Sequence, residues 1–250
     1  MAIKVAVIGA GPLGLIAMKI LKEDGFEVNG FEARPYVGGL WKYSEDASLS
    51  VAESTIFNTS RYRTAISDFR FPSGTADYPT WQQMHHYLES YSDAFDLTQH
   101  TQLNSPITRL SRSRHKWALQ ISPPDSLPRI EYFDKVIVAT GTFTKPSQPQ
   151  LEGIQLFEGP TVHAINFHRP SQYKGKNVLI VGLHATAQDV AVGLFSHANK
   201  LYVSHRNGVL LVSISRLKST CVYITFHWNL LANRCLDMQP MVQCLIVLKA

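Results

Sequence analysis

An α/β fold built on a parallel sheet is predicted by three observations. The apolar run Ile3-Lys4-Val5-Ala6-Val7-Ile8 leads straight into Gly9-Ala10-Gly11-Pro12-Leu13-Gly14 and then into a helical pattern. The next apolar strand ends in an acid, Glu32, eighteen residues after Gly14. A second unit of the same kind begins near residue 174, where Asn177-Val178-Leu179-Ile180-Val181 runs into Gly182. Strand, glycine turn, helix, strand and terminal acid describe a Rossmann-like unit that binds a dinucleotide. Two loops predict two dinucleotides, most simply a flavin and the nicotinamide that reduces it.

The elements follow in order. Leu15-Ile16-Ala17-Met18-Lys19-Ile20-Leu21-Lys22 has helical spacing, Gly25 stops that helix, and 26–31 returns as the second strand. Residues 33–79 are irregular and rich in Gly, Ser, Tyr and Arg, as a cofactor-wrapping region would be. Thr80 with Gln83 forms a capping box, and Met84, Tyr87, Leu88, Tyr91 and Phe95 then repeat on one helical face. Strands are predicted at 116–121 and at 135–138, the latter running into Ala139-Thr140-Gly141. The proline-rich piece 145–150 reads as a linker, and 174–206 as the second strand–turn–helix–strand unit. Beyond about 210 the chain holds few charges, all three cysteines (Cys221, Cys235, Cys244) and no clean periodicity.

Composition narrows the function. The net charge of +5 is mild and dispersed, with no Lys/Arg run to mark a nucleic-acid or membrane patch. No stretch approaches the ~18 apolar residues of a membrane span, and the short apolar N-terminus reads as a strand rather than a signal peptide. A cytoplasmic protein is expected. The cysteine spacing fits neither a metal site nor a disulfide framework, so reduced thiols and no metal are expected.

The chemistry sits in the loops. Gly9 permits the tight turn, Gly11 lets the backbone approach a pyrophosphate, and Gly14 allows close helix–strand packing. Ala10, Pro12 and Leu13 complete the loop, and the helix N-terminus offers free N–H groups to the phosphates. Glu32 is placed to accept hydrogen bonds from ribose hydroxyls. In Val37-Gly38-Gly39-Leu40-Trp41 the paired glycines bring amides toward a second anionic group and Trp41 offers a flat face; a loop with a core tryptophan is an equal reading. The second loop, Gly182-Leu183-His184-Ala185-Thr186-Ala187-Gln188-Asp189, has His184 in the place of the second glycine and Ala187 in that of the third. Thr186 could donate its hydroxyl to a pyrophosphate, whereas a side chain at His184 could crowd it. The strand after it ends Ser204-His205-Arg206 without an acid. Arg206 therefore suits a 2′-phosphate and favours NADPH over NADH.

The segment from Phe157 to Phe167 fits Phe-x-Gly-x-x-x-His-x-x-x-(Tyr/Phe), with Phe157, Gly159, His163 and Phe167 at the fixed positions. This pattern resembles the fingerprint of the flavin-containing monooxygenases, which oxygenate soft nitrogen and sulfur atoms. Asn58-Thr59-Ser60-Arg61, Ser67-Asp68-Phe69-Arg70-Phe71-Pro72, Tyr78-Pro79-Thr80 and Ala139-Thr140-Gly141 also match family elements, over roughly residues 3–210. The resemblance implies a two-dinucleotide-binding flavoprotein fold, a parallel-sheet FAD domain with an inserted NADP domain. It implies FAD contacts from Gly39, Leu40, Trp41, Thr59 and Gly141, and NADPH contacts from Gly182, Thr186, Ala187, Gln188, Asp189 and Arg206. Asn58 inherits the catalytic place beside the flavin, and His163 a structural role at the domain junction. The implied reaction uses NADPH and O2 to oxygenate a small amine or sulfide through a C4a-hydroperoxyflavin.

The expected organisation is an FAD-binding domain at 1–150, the start of an NADP-binding domain at 151–210, and an atypical tail at 211–250. Family chains are about twice this length, so a C-terminally truncated chain is expected. A flavin- and NADP-binding fragment without oxygenase activity is the alternative. A pyridine-nucleotide disulfide reductase relative is disfavoured, because no Cys-x-x-x-x-Cys pair follows the first unit.

Overall fold

A computed structural model describes residues 2–45, 49–205 and 245–249, the last as backbone. Arg206 and the three cysteines lie outside the described residues. The chain divides into two compact units, Met1–Tyr43 with Thr59–Thr144, and Ser44–Asn58 with Lys145–Ala250.

In the first unit β1 (Lys4–Ile8) passes through the glycine loop into α1 (Pro12–Glu23) and back into β2 (Glu27–Phe31), parallel to β1. A short helix, α2 (Arg61–Thr64), precedes α3 (Trp81–Ala94). Then follow β3 (Thr101–Gln102), β4 (Ile107–Ser113), β5 (Lys116–Ile121), β6 (Arg129–Phe133) and β7 (Lys135–Val138). The parallel sheet has the order β3-β2-β1-β7, while β4, β5 and β6 form an antiparallel sheet of their own. Ala6, Ile8 and Phe31 from the first sheet pack with Leu119, Ile121 and Phe133 from the second. The Phe31 and Phe133 rings meet edge to face at 5.7 Å.

The predicted stripe of α3 is its buried face. Met84, Tyr87, Leu88 and Tyr91 are inaccessible or nearly so. Both halves of the capping box form: the Gln83 N–H donates to the Thr80 hydroxyl at 3.3 Å, and the Thr80 N–H to Gln83 Oε1 at 3.1 Å. Phe69 sits against Tyr87, Tyr91 and Phe95, and Phe71 stacks on Tyr87 at 3.8 Å. The Tyr87 hydroxyl donates to Phe69 O and accepts from the Ile66 N–H. The Ser-Asp-Phe-x-Phe-Pro element is thus packing material for this helix.

In the second unit β8 (Thr161–His163) precedes β9 (Asn177–Val181), α4 (Ala185–Leu194) and β10 (Lys200–Ser204). β9 and β10 are parallel, as the strand–turn–helix–strand pattern requires. The sheet order is β10-β9-β11-β8, where β11 (Leu245–Lys249) runs antiparallel between β9 and β8. The tail, which shows no clean periodicity, thus contributes a strand. The core is Phe167, Tyr173, Val178, Ile180, Val190, Leu194 and Val203 with Ala164 and Ala187.

Candidate functional site

The first loop is shaped by sterics at three glycines. Gly9 has φ +101°, and a Cβ there would stand 2.6 Å from Ala139 O. At Gly14 a Cβ would fall 1.9 Å from Gly9 O, so helix and loop can approach only without one. Gly11 has room: its nearest neighbour across the gap is Gly39, at 3.8 Å from a built Cβ. Pro12 opens α1 with no acidic residue in the first turn, so the helix supplies no acid of its own to its positive end. Leu13 is 74% exposed beside it.

Glu32 is buried and fixed by two amides. Its Oε2 accepts from the Ala10 N–H at 2.7 Å and its Oε1 from the Arg34 N–H at 3.0 Å. Each carboxylate oxygen keeps a further lone pair. The loop and the strand end are therefore one hydrogen-bonded body with acceptor capacity left for hydroxyl donors.

The glycine pair joins that body. The Gly38 N–H donates to Ala10 O at 2.8 Å, and Arg34 Nη1 to Gly39 O at 2.6 Å. Gly38 (φ +100°) and Gly39 (φ +63°) both occupy the left-handed region. A short 3-10 turn, Gly39–Trp41, contains the half-buried Leu40 and Trp41, and the Trp41 N–H returns to Gly38 O at 3.3 Å. Gly141 (φ +84°) is exposed with open space around it, at the end of the strand that packs on Gly9.

Sequence reasoning missed two residues here: Arg34 and His85. Arg34 carried no pattern of its own. His85 lies on α3, 7% exposed, with Nε2 3.2 Å from Val37 O and its ring against Gly38. Burial lowers its pKa, against the opposite pull of Glu89, whose carboxylate lies 3.4 Å from Nδ1.

The second loop repeats the backbone of the first despite its different residues. Gly182 has φ +116°, and its N–H donates to Ser204 O at 2.8 Å; the Gly9 N–H donates to Phe31 O at 2.7 Å in the same manner. Gly11 and His184, the N-caps of α1 and α4, have ψ of −177° and −179°. That extended conformation needs no glycine, so His184 fits, with its side chain exposed. Ala187 is 1% exposed in the core, where a small residue suffices. Thr186 is exposed. Gln188 is tied back, its amide donating to Leu183 O at 3.1 Å. Asp189 is exposed, and partial shielding of its carboxyl pushes its pKa up to about 6.

His163 is 4% exposed and caps a 3-10 turn: its Nδ1 accepts the Ile165 N–H at 3.1 Å. Asn58 is exposed at the end of the segment Ser44–Asn58 in the second unit, and Thr59 opens the returning segment of the first. Among the described residues no His/Cys/Asp/Glu cluster could hold a metal. None of the described helices is long and apolar enough to cross a membrane.

Known proteins share this arrangement. The chain is 37% identical over 211 residues to the monooxygenase aurF of Gibberella zeae, covering 83% of this chain and 40% of that one. It is 31% identical over 223 residues to the rabbit (Oryctolagus cuniculus) dimethylaniline monooxygenase [N-oxide-forming] 2, covering 85% and 42%. The chain thus spans about two fifths of the length of these relatives. The S-allyl-L-cysteine S-oxygenase of Allium sativum superposes with a TM-score of 0.78 at 24% identity, over 85% of this chain and 54% of that one. A cyclohexanone monooxygenase variant from Rhodococcus sp. Phi1, bound to NADP+, gives 0.65 at 26% identity over 83% and 39%. The family match itself covers residues 2–242, past residue 210 where the short motifs run out. With two glycine-turn loops of one backbone geometry and this match along nearly its whole length, the chain belongs to the flavin-binding monooxygenase-like family.

Proposed function

We propose that this chain forms the dinucleotide-binding part of a flavin-dependent monooxygenase that uses NADPH and O2 to oxygenate a soft nitrogen or sulfur atom of a small molecule. The observation that carries it is the fixed cradle of the first loop: Gly9, Gly11 and Gly14 clear a path for backbone, and Glu32 is locked to Ala10 and Arg34. Those residues fit the adenosine end of FAD. The amides of the loop and of α1 face the pyrophosphate, Glu32 accepts from the ribose, and the Gly39–Trp41 turn, with Thr59 and Gly141, bounds the cofactor. Bound there, a flavin supplies the route by which electrons from NADPH reach dioxygen.

The second loop holds NADPH through Gly182, Thr186, Ala187, Gln188 and Asp189. Ser204, His205 and Arg206 answer the 2′-phosphate, because an acid there would repel it. Asn58 is the residue assigned to the reaction itself, as a neutral hydrogen-bonding group that holds the reacting centre without exchanging a proton. Small amines and sulfides are the substrate class, and the cytoplasm is the proposed compartment. The domain division at residue 150 and the NADP-binding segment 151–210 belong to the same reading.

Two measurements test it. The purified chain should be yellow, with about one FAD per chain, and Glu32→Ala should lose most of it. NADPH oxidation should then yield an N- or S-oxide from dimethylaniline or a dialkyl sulfide, and Asn58→Ala should divert the electrons to peroxide. A folded but colourless chain would refute the flavin site. A yellow chain that makes only peroxide would leave a nucleotide-binding fragment without oxygenase activity.

A further inference from the structure

The segment Ser44–Asn58 lies in sequence between two pieces of the first unit, yet packs with the second. Its contacts there are specific. Val51 is 8% exposed, and Ala52 packs against the core formed by Val190, Leu194 and their neighbours. The Glu53 N–H donates to His168 O at 3.0 Å, and Glu45 pairs with Arg169. A small turn closes at its centre: the Ala52 N–H donates to the Thr55 hydroxyl at 3.1 Å and the Thr55 N–H to Ala52 O at 3.0 Å. On α4, a Cβ on Gly193 would stand 2.7 Å from Ser54 Oγ and 3.1 Å from Pro170 Cγ, so this segment, a strap across the unit, lies against the helix where it has no side chain.

The two ends of α4 therefore do different things. Its first turn carries Thr186, Ala187 and Gln188 of the second nucleotide loop, and its last turn carries Gly193 against Ser54. A 10-residue helix is a stiff body of about 15 Å. A ligand that binds its N-terminus suppresses local opening of the whole helix, and of anything whose packing depends on it.

We infer that the strap is a positioning element for Asn58, with Gly193 and Ser54 as the contact through which nucleotide occupancy of the second loop steadies it. This deepens the proposed function and rests on reading Gly182–Asp189 as an NADP site. A helix with a β-carbon at position 193 could hold its nucleotide equally well and yet lose its grip on the strap. Gly193 and Ser54 are thus positioning residues, acting on Asn58 through the strap.

The test is amide hydrogen exchange on the full 250-residue chain with NADP+ as the probe, followed peptide by peptide. NADP+ should slow exchange at 186–194 and, by about fivefold or more, at 51–55, where the Glu53 and Thr55 amides are bonded. In Gly193→Ala, protection at 186–194 should persist while protection at 51–55 disappears. Alanine is the better helix former, so loss of α4 itself is not the expected cause. Ser54→Ala, which deletes only the Oγ on the other side of the contact, should likewise weaken protection at 51–55 while 186–194 stays protected. NADP+ protection confined to 186–194 in the native chain would overturn the inference and leave the nucleotide site standing. Retained coupling in Gly193→Ala would overturn it too. Absence of protection at both segments at millimolar NADP+ would bring down the nucleotide site, and the inference with it.

Discussion

Replacing Gly14 by alanine sets two effects of opposite sign against each other. Gly14 lies within α1, outside the left-handed region, and helix propensity alone favours alanine by about 1 kcal/mol. The built Cβ, however, falls 1.9 Å from Gly9 O and 2.9 Å from Gly9 C. Both are backbone atoms of a loop pinned by the Gly9 N–H bond to Phe31 O and by the packing of Gly9 on Ala139. No rotamer change can relieve the overlap, so the start of the helix must move. Overpacking of this kind costs about 3 kcal/mol at the upper end of its usual range. The net is a loss of about 2 kcal/mol, or a Tm lowered by roughly 4–8 °C for a chain of this size. Thermal unfolding of the ligand-free chain followed by circular dichroism measures it, with FAD affinity by fluorescence quenching as the second readout. Affinity should fall as well, because displacement of α1 moves the amides proposed to face the pyrophosphate. A Gly14→Ala chain as stable as the parent would refute the steric account of the third glycine. Gly25→Ala is the control, since nothing lies within 4 Å of its Cβ and only its φ of +81° opposes the change.

Three further outcomes follow from the same geometry. Thr80→Ala removes the hydroxyl that accepts the Gln83 N–H and should cost about 1 kcal/mol, while Thr80→Ser should cost little; urea midpoints separate the two. Glu32→Gln keeps the shape but weakens the bonds to the Ala10 and Arg34 amides, which are charge-assisted in the native chain. Its stability should fall by about 1–2 kcal/mol and its FAD affinity should fall too, both read by thermal shift with and without FAD. His85 has a folded pKa below its unfolded value near 6.5, so its contribution to stability is fully present above that pH. It is lost as pH falls below about 6.5, where the unfolded chain takes up a proton that the folded ring still refuses. Urea midpoints of the native chain at pH 7.5 and 5.5 should differ by more than those of His85→Gln, which keeps a donor for Val37 O.

What was legible in the sequence was what is decided locally. The first loop could be read because a tight turn and a close approach each exclude a side chain, and only glycine satisfies both. The start of α3 could be read because Thr80 and Gln83 satisfy each other three residues apart, and its buried face because the helix repeat aligns Met84, Tyr87, Leu88 and Tyr91. The sequence pattern marked only the middle strand of the antiparallel sheet. β4 carries Arg109 and Arg112, and β6 carries Arg129 and Glu131, so neither offers the apolar alternation that announces a half-buried strand. Arg112 nevertheless pairs across to Trp117 and lies over its ring at 4.5 Å, a partner that local reading cannot supply. Likewise, nothing in Val51-Ala52 says which surface covers it. The role of His85 was hidden for the same reason, since Val37 and Gly38 reach it from nearly fifty residues away.

The place of β11 bears on how the second unit assembles. Its backbone fills the slot between β9 and β8, with Leu245 opposite both Val181 and His163. About 60 residues of chain therefore separate β9 from the strand that completes its hydrogen bonding, a pairing of long sequence separation and so slow to form. During synthesis β8 and β9 emerge well ahead of β11, and each presents an open edge for that interval. Such an edge is a template for any extended segment of another chain. The yield of native second unit is thus a race between arrival of residues 245–249 and capture of those edges, and slower, cooler expression should shift it toward the native sheet.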